Sequence, residues 1–194
     1  MAEQQATREA VLDAALAVFT EHTYDGTAMS VLATRAGVAV GTIYRHFPSK
    51  EALGNAVYRQ WKARLAADLF ADHGADGAGG AGLPVREEFG LVWRGMLRFA
   101  AEFPDAFAFL ELQQHAGYLD AESVALTERI DRAGAELIIR GQRSGEIRAG
   151  DPEVLVALAY GAFVGLAAAR RGGGATGAGD LALAEEAVWD LLSR

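Results

Sequence analysis

Gly37 separates two short helix-forming runs inside a stretch of 24 residues that has no acid, TAMSVLATRAGVAVGTIYRHFPSK, residues 27–50. The runs Met29 to Ala36 and Val40 to Phe47 are each too short to be stable in water, where about 12–15 residues is the practical minimum. They must therefore pack on each other and on a third element. Val31, Leu32 and Arg35/Ala36 recur at helical spacing, and Val38, Ile43 and Phe47 continue an apolar side across the turn. Thr27 is expected to cap the first run. Gly37 supplies the left-handed exit, and Pro48 ends the second run. This is the pattern of a helix-turn-helix, whose second helix enters a DNA major groove.

The polar residues of the stretch suit that task. Arg35, Arg45, His46 and Lys50 lie in it with no carboxylate between Asp25 and Glu51. The small residues Ala39, Val40 and Gly41 allow close approach to a groove. Thr42, Tyr44 and His46 carry donors for phosphate oxygens, and Arg45 can reach a phosphate or a guanine edge. The candidate DNA-binding set is Thr27, Met29, Ser30, Ala39, Val40, Gly41, Thr42, Tyr44, Arg45, His46 and Lys50. Tyr44 and Lys50 are expected to position the protein, and Val40, Thr42 and Arg45 to carry sequence dependence.

The segment GVAVGTIYRHFPSKEAL resembles the signature of the TetR family of transcriptional regulators, and TREAVLDAALAVFTEHTYDGTAMSVLATRAG upstream is similar to that family's first two helices. The close resemblance covers about residues 7–60. It implies an all-α fold with a dimerising helical body that holds a small-molecule inducer. Ser30, Val31, Ala39 and Val40 depart from the family's usual polar residues, which shifts recognition toward apolar contact and DNA shape.

Charge is distributed accordingly. The net charge is −8, yet residues 1–64 carry seven basic and six acidic groups, a net +1, while residues 65–194 carry eleven and twenty, a net −9. The acid belongs to the body and keeps it off the phosphates. Cysteine is absent, which excludes disulfides and thiolate metal sites. The first residues are polar and no signal peptide opens the chain, so a cytoplasmic protein is expected.

About nine helices are expected. The first runs from Thr7 to His22, where Thr7 and Arg8 are read equally as a phosphate contact at the positive helix end or, for Arg8, as a solvated cap residue. The fourth spans Ser49 to Ala71, residues 74–82 form a glycine-rich linker, and the fifth spans Pro84 to Phe103. Pro104 starts the sixth, the seventh spans Ala121 to Gln142, and Asp151-Pro152 starts the eighth. A loop at 172–179 precedes a ninth helix capped by Asp180. Two functional divisions follow: residues 1–50 for DNA, and residues 51–194 for ligand binding and dimerisation.

Residues 154–169 hold sixteen uncharged residues in succession. A bilayer span needs about 20, so the expected cover is a second copy of the chain rather than lipid. The candidate dimer interface is Leu155, Leu158, Ala162, Phe163, Leu166, Val188, Leu191 and Leu192. Two heads about 34–36 Å apart would then read a near-palindromic double-stranded operator. The candidate pocket for an apolar or amphipathic inducer is Trp61, Phe89, Trp93, Met96, Phe103, Phe107, Leu110, Gln114, His115 and Tyr118. Glu111 and His115, four apart, are read as a hydrogen-bonded pair rather than metal ligands, and no cofactor is expected. The four histidines are scattered and the glycine-rich stretches lack a phosphate-loop lysine, so catalysis is not expected.

Overall fold

The computed structural model describes residues 1–70, 83–172 and 177–193. Residues 74–82, expected as a linker, lie outside the described residues, as do residues 173–176 of the expected glycine loop. The described residues form nine helices: α1 (Ala2–His22), α2 (Met29–Ala36), α3 (Val40–His46), α4 (Lys50–Phe70), α5 (Val85–Glu102), α6 (Pro104–Leu112), α7 (Ala121–Ser144), α8 (Pro152–Arg171) and α9 (Ala178–Leu192). The all-α expectation holds.

The chain forms two compact units. The first comprises residues 1–63 and 103–126, and the second residues 64–102 and 127–194. In the first unit α1 packs on α2, α3 and α6. Phe19 and Ala15 of α1, Leu32 of α2, Ile43 of α3 and Leu53 of α4 are fully buried, which satisfies the two short helices that cannot stand alone. Phe19 also stacks at 5.9 Å on Phe109 of α6.

In the second unit α5, α8 and α9 pack pairwise. Trp93 and Phe99 of α5 and Phe163 of α8 are fully buried, with Trp93 edge-on to Phe163 at 6.2 Å. Arg86 and Arg94 of α5 both bond Glu185 of α9, at 3.0 and 3.1 Å. Gly90 lies beneath this clamp, where a Cβ would meet Arg94 Nη1 and Glu185 Oε1 at 2.8 Å.

Local sequence chemistry explains most boundaries. Gly37 has φ 67°, and its amide and that of Val38 bond Thr34 O and Ala33 O, closing α2. Ser49 Oγ accepts from Ala52 N at 3.1 Å, and Asp151 accepts from Glu153 N ahead of Pro152. Three expectations are corrected. First, α1 starts at Ala2 rather than Thr7, because its polar first turns are held by local bonds: Thr7 Oγ1 to Glu3 O at 2.9 Å and Gln5 Nε2 to Glu9 Oε1 at 2.7 Å. Second, Thr27 does not cap α2; its hydroxyl donates back to Thr23 O at 2.7 Å, and Ala28 occupies the cap position. Third, Asp180 is not the cap of α9 but lies in its first turn, reaching back to accept from Gly177 N at 2.8 Å.

The α1–α2 turn is strained. Thr23 has φ 62° and ψ 163°, a region essentially reserved for glycine. Gly26 is needed there for space, since a Cβ would lie 2.4 Å from His22 O.

Candidate nucleic-acid interface

The outer side of α3 is solvent-facing and free of acid. Ala39, Gly41, Tyr44 and Arg45 are exposed, while Val40, Thr42 and His46 are half-buried. Ile43 and Phe47 anchor the opposite side in the core. Arg45 Nη2 donates to Thr42 Oγ1 at 3.3 Å, so two of the three residues expected to carry sequence dependence share one spot on the helix. On α2 Ser30 is exposed and Met29 half-buried. Val31 is exposed too, because Leu32 and Ala33 are the residues that turn inward. Thr27 is buried in the turn, at 5% exposure.

The first turns of α1 come up beside α3. Glu3, Gln4 and Thr7 line an open cleft of about 430 Å³ together with Thr42, Arg45 and His46. Arg8 lies over the Phe47 ring at 5.3 Å, a cation–π contact that holds its guanidinium against the head. Arg35 pairs instead with Glu21 of α1 at 2.8 Å. Lys50, half-buried at the start of α4, has its Nζ 4.5 Å above the Tyr24 ring and 3.4 Å from Asp25 O.

Asn55, Arg59, Asp120 and Ser123, which the sequence left unassigned, join Gln113 and the pocket candidate Tyr118 in fastening the segment after α6 to α1 and α4. Gln113 Nε2 donates to Phe19 O at 2.7 Å. Asn55 of α4 donates to Tyr118 O at 2.8 Å and accepts from Asp120 N and Ser123 Oγ, at 2.9 and 2.7 Å. Arg59 bonds both oxygens of Asp120; that charge-assisted bond draws the Asp120 carboxyl down to about 2. The Tyr118 ring stacks on Tyr24 at 3.8 Å between centroids. Burial raises the Tyr24 phenol to about 12 and moves Tyr118 upward as well.

Glu111 and His115 are not partnered as expected. Glu111 bonds Lys62 of α4 at 3.2 Å, with both side chains buried. His115 Nε2 lies 2.6 Å from Phe109 O and Nδ1 2.6 Å from the Tyr118 hydroxyl. A carbonyl only accepts, so Nε2 carries the proton and neutral Nδ1 accepts from Tyr118. Burial lowers the His115 pKa, which keeps the ring neutral. Among the described residues no cluster of three or more potential metal ligands occurs.

The ten pocket candidates divide between the units. Trp61, Phe103, Phe107, Leu110, Gln114, His115 and Tyr118 belong to the first, and Phe89, Trp93 and Met96 to the second. Gln114 is exposed, Trp61, Phe103 and Tyr118 are half-buried, and the other six are buried. Of the dimer candidates, Leu155, Phe163, Val188 and Leu192 are buried within the chain, Leu166 is half-buried, and Leu158, Ala162 and Leu191 are exposed. Together with Val154 and Leu183, Leu158 and Leu191 leave large apolar groups of α8 and α9 facing solvent, with Leu158 50% and Leu183 64% exposed. α8 is 20 residues long and its most apolar window has a mean hydropathy of 1.7, so by length and composition alone it could cross a membrane.

Comparison with known proteins agrees with this geometry. Residues 11–57 match the family "Bacterial regulatory proteins, tetR family", and residues 78–194 match "Tetracyclin repressor-like, C-terminal domain". The HTH-type transcriptional repressor KstR of Mycolicibacterium smegmatis is 49% identical over 47 residues. That match spans 24% of this chain and 23% of KstR. The HTH-type transcriptional regulator RutR of Escherichia coli K12 is 31% identical over 160 residues, 78% of this chain and 69% of RutR. Among solved structures, FadR from Bacillus subtilis in complex with stearoyl-CoA has a TM-score of 0.72 at 22% identity, covering 95% of this chain and 97% of that one. A TetR-like transcriptional regulator from Rhodococcus sp. RHA1 has a TM-score of 0.75 at 22% identity, covering 94% and 93%. With both halves of the sequence matched and the helix-turn-helix formed as its residues require, this chain belongs to the tetR family of bacterial regulatory proteins.

Proposed function

We propose that the chain is a cytoplasmic, homodimeric transcriptional repressor that leaves a near-palindromic operator when a small apolar or amphipathic ligand binds its helical body. The carrying observation is the exposed, acid-free outer side of α3, with Tyr44 and Arg45 standing out from a helix that Ile43 anchors. Its role is regulatory rather than catalytic. Residues 1–50 contact DNA, and residues 51–194 serve ligand binding and dimerisation. Tyr44 and Lys50 contact phosphates, while Val40, Thr42 and Arg45 read sequence.

The dimer reading rests on α8 and α9. A 20-residue helix this apolar, with only 17% of its most apolar window buried, needs cover, and a second copy provides it through Leu158, Leu183 and Leu191. Symmetric pairing then imposes the near-palindrome. Induction needs a coupling of only about 1–3 kcal/mol between ligand and operator. The likeness to a regulator solved with stearoyl-CoA favours an amphipathic ligand of that general kind.

A gel-shift screen against promoter fragments adjoining the chain's own gene, at low ionic strength, tests the reading. A retarded band is expected, and a full screen without one would overturn it.

A further inference from the structure

The residues that contact DNA in the reading above all lie in the first 50 positions, yet the compact unit that contains them also includes residues 103–126. The junction is aromatic and tight. Tyr118, beyond α6, lays its ring on Tyr24 with an interplanar angle of 17°. Gly54 makes the stack possible: a Cβ there would meet Tyr24 Cε2 and Tyr118 Cε2, each at 2.9 Å. Tyr118 is itself held from both ends, its carbonyl by Asn55 Nδ2 and its hydroxyl by His115 Nδ1. Tyr24 in turn carries the Lys50 ammonium over its ring, and Asp25 O accepts one of that ammonium's bonds.

We propose that Tyr118 is a positioning residue for DNA, acting through Tyr24 to hold Lys50 ready for a backbone phosphate. The chain of contacts is physical at each link. Tyr118 fixes the plane of the Tyr24 ring, and the ring's negative face holds the cation without neutralising it. An ammonium has three donors, so the bond to Asp25 O leaves two for phosphate oxygens. A lysine side chain left free would lose rotamer freedom on binding, and here much of that ordering is complete beforehand. The inference rests on the proposed DNA-binding function and adds to it a residue some 70 positions beyond the helix-turn-helix.

Because a phosphate contact is sequence-independent, a random-sequence duplex of about three helical turns serves as the probe, with affinity of the full chain measured across a salt series. Tyr118→Ala is expected to weaken binding several-fold and to flatten the log K against log salt slope by about 0.9, the value of one phosphate contact on duplex DNA. Lys50→Ala should do the same, and the double variant no more than either, because both remove one contact. Tyr118→Phe keeps the ring and should restore the slope. Tyr24→Leu, which keeps an apolar filler without an aromatic face, should flatten it, and it stands in if Tyr118→Ala does not fold by circular dichroism. A wild-type slope in folded Tyr118→Ala or Tyr24→Leu, or a second decrement in the double variant, would overturn the inference. Wild-type chain that bound no duplex would instead overturn the function itself.

Discussion

Lys62 Nζ lies 3.2 Å from Glu111 Oε1, with the two side chains only 8% and 9% exposed, so α4 and α6 are joined by a buried ion pair. Removing one partner leaves the other charge without compensation. Lys62→Met is expected to cost about 3–5 kcal/mol, whereas Lys62→Met combined with Glu111→Leu should come out near neutral. Urea denaturation of the three proteins measures this. Equal midpoints for the wild type and Lys62→Met would show that the pair contributes nothing.

His115 links stability to pH. Its folded pKa is lowered by burial from the ordinary 6.5, so near that pH the unfolded chain binds more protons than the folded one. Stability from this group is therefore complete above 6.5 and declines as pH falls from there toward the lowered folded value. An NMR titration of the His115 ring should give a midpoint below 6.5. A midpoint at or above it contradicts the neutral, Nε2-protonated ring.

Thr23 sits at φ 62°, where a side chain is strained. Thr23→Gly should raise stability by roughly 1 kcal/mol, the relief of about 1–3 kcal/mol being partly offset by the greater freedom of glycine in the unfolded chain. A higher denaturation midpoint is the expected readout. A drop would mean that the Thr23 hydroxyl, which accepts from Gly26 N at 3.4 Å, outweighs the strain.

Leu158 is half exposed on α8. Leu158→Glu should shift the protein from dimer to monomer in sedimentation velocity at micromolar concentration and weaken operator binding with it, since one head alone contacts too little DNA. Wild type sedimenting as a monomer would refute the pairing, as would an unaffected variant.

The parts of the fold that were legible in advance are those fixed by local chemistry. Gly37, Pro48, Ser49 and Asp151-Pro152 mark boundaries because caps and backbone restrictions act within a few residues. The outward side of α3 was readable since Ile43 and Phe47 fix its inward side. Partnerships distant in sequence were not. Glu111 was matched with His115, four residues away, but the fold brings Lys62 to it from 49 positions upstream. A lysine in the register of buried Tyr58 and Leu65 was the available hint. Likewise nothing in the local spacing of Tyr118 marks it as a partner of Tyr24. The start of α1 was missed because its first turns carry no apolar period and are held by polar contacts alone.

Glu185 serves two guanidiniums at once, one carboxylate between Arg86 and Arg94 above the bare backbone of Gly90. Take that charge away and α5 is left with two cations facing an empty socket. Ionic strength would then act in opposite directions on the two proteins: added salt slackens the grip of α5 on α9 in the native chain, and calms mutual repulsion in a Glu185→Gln chain.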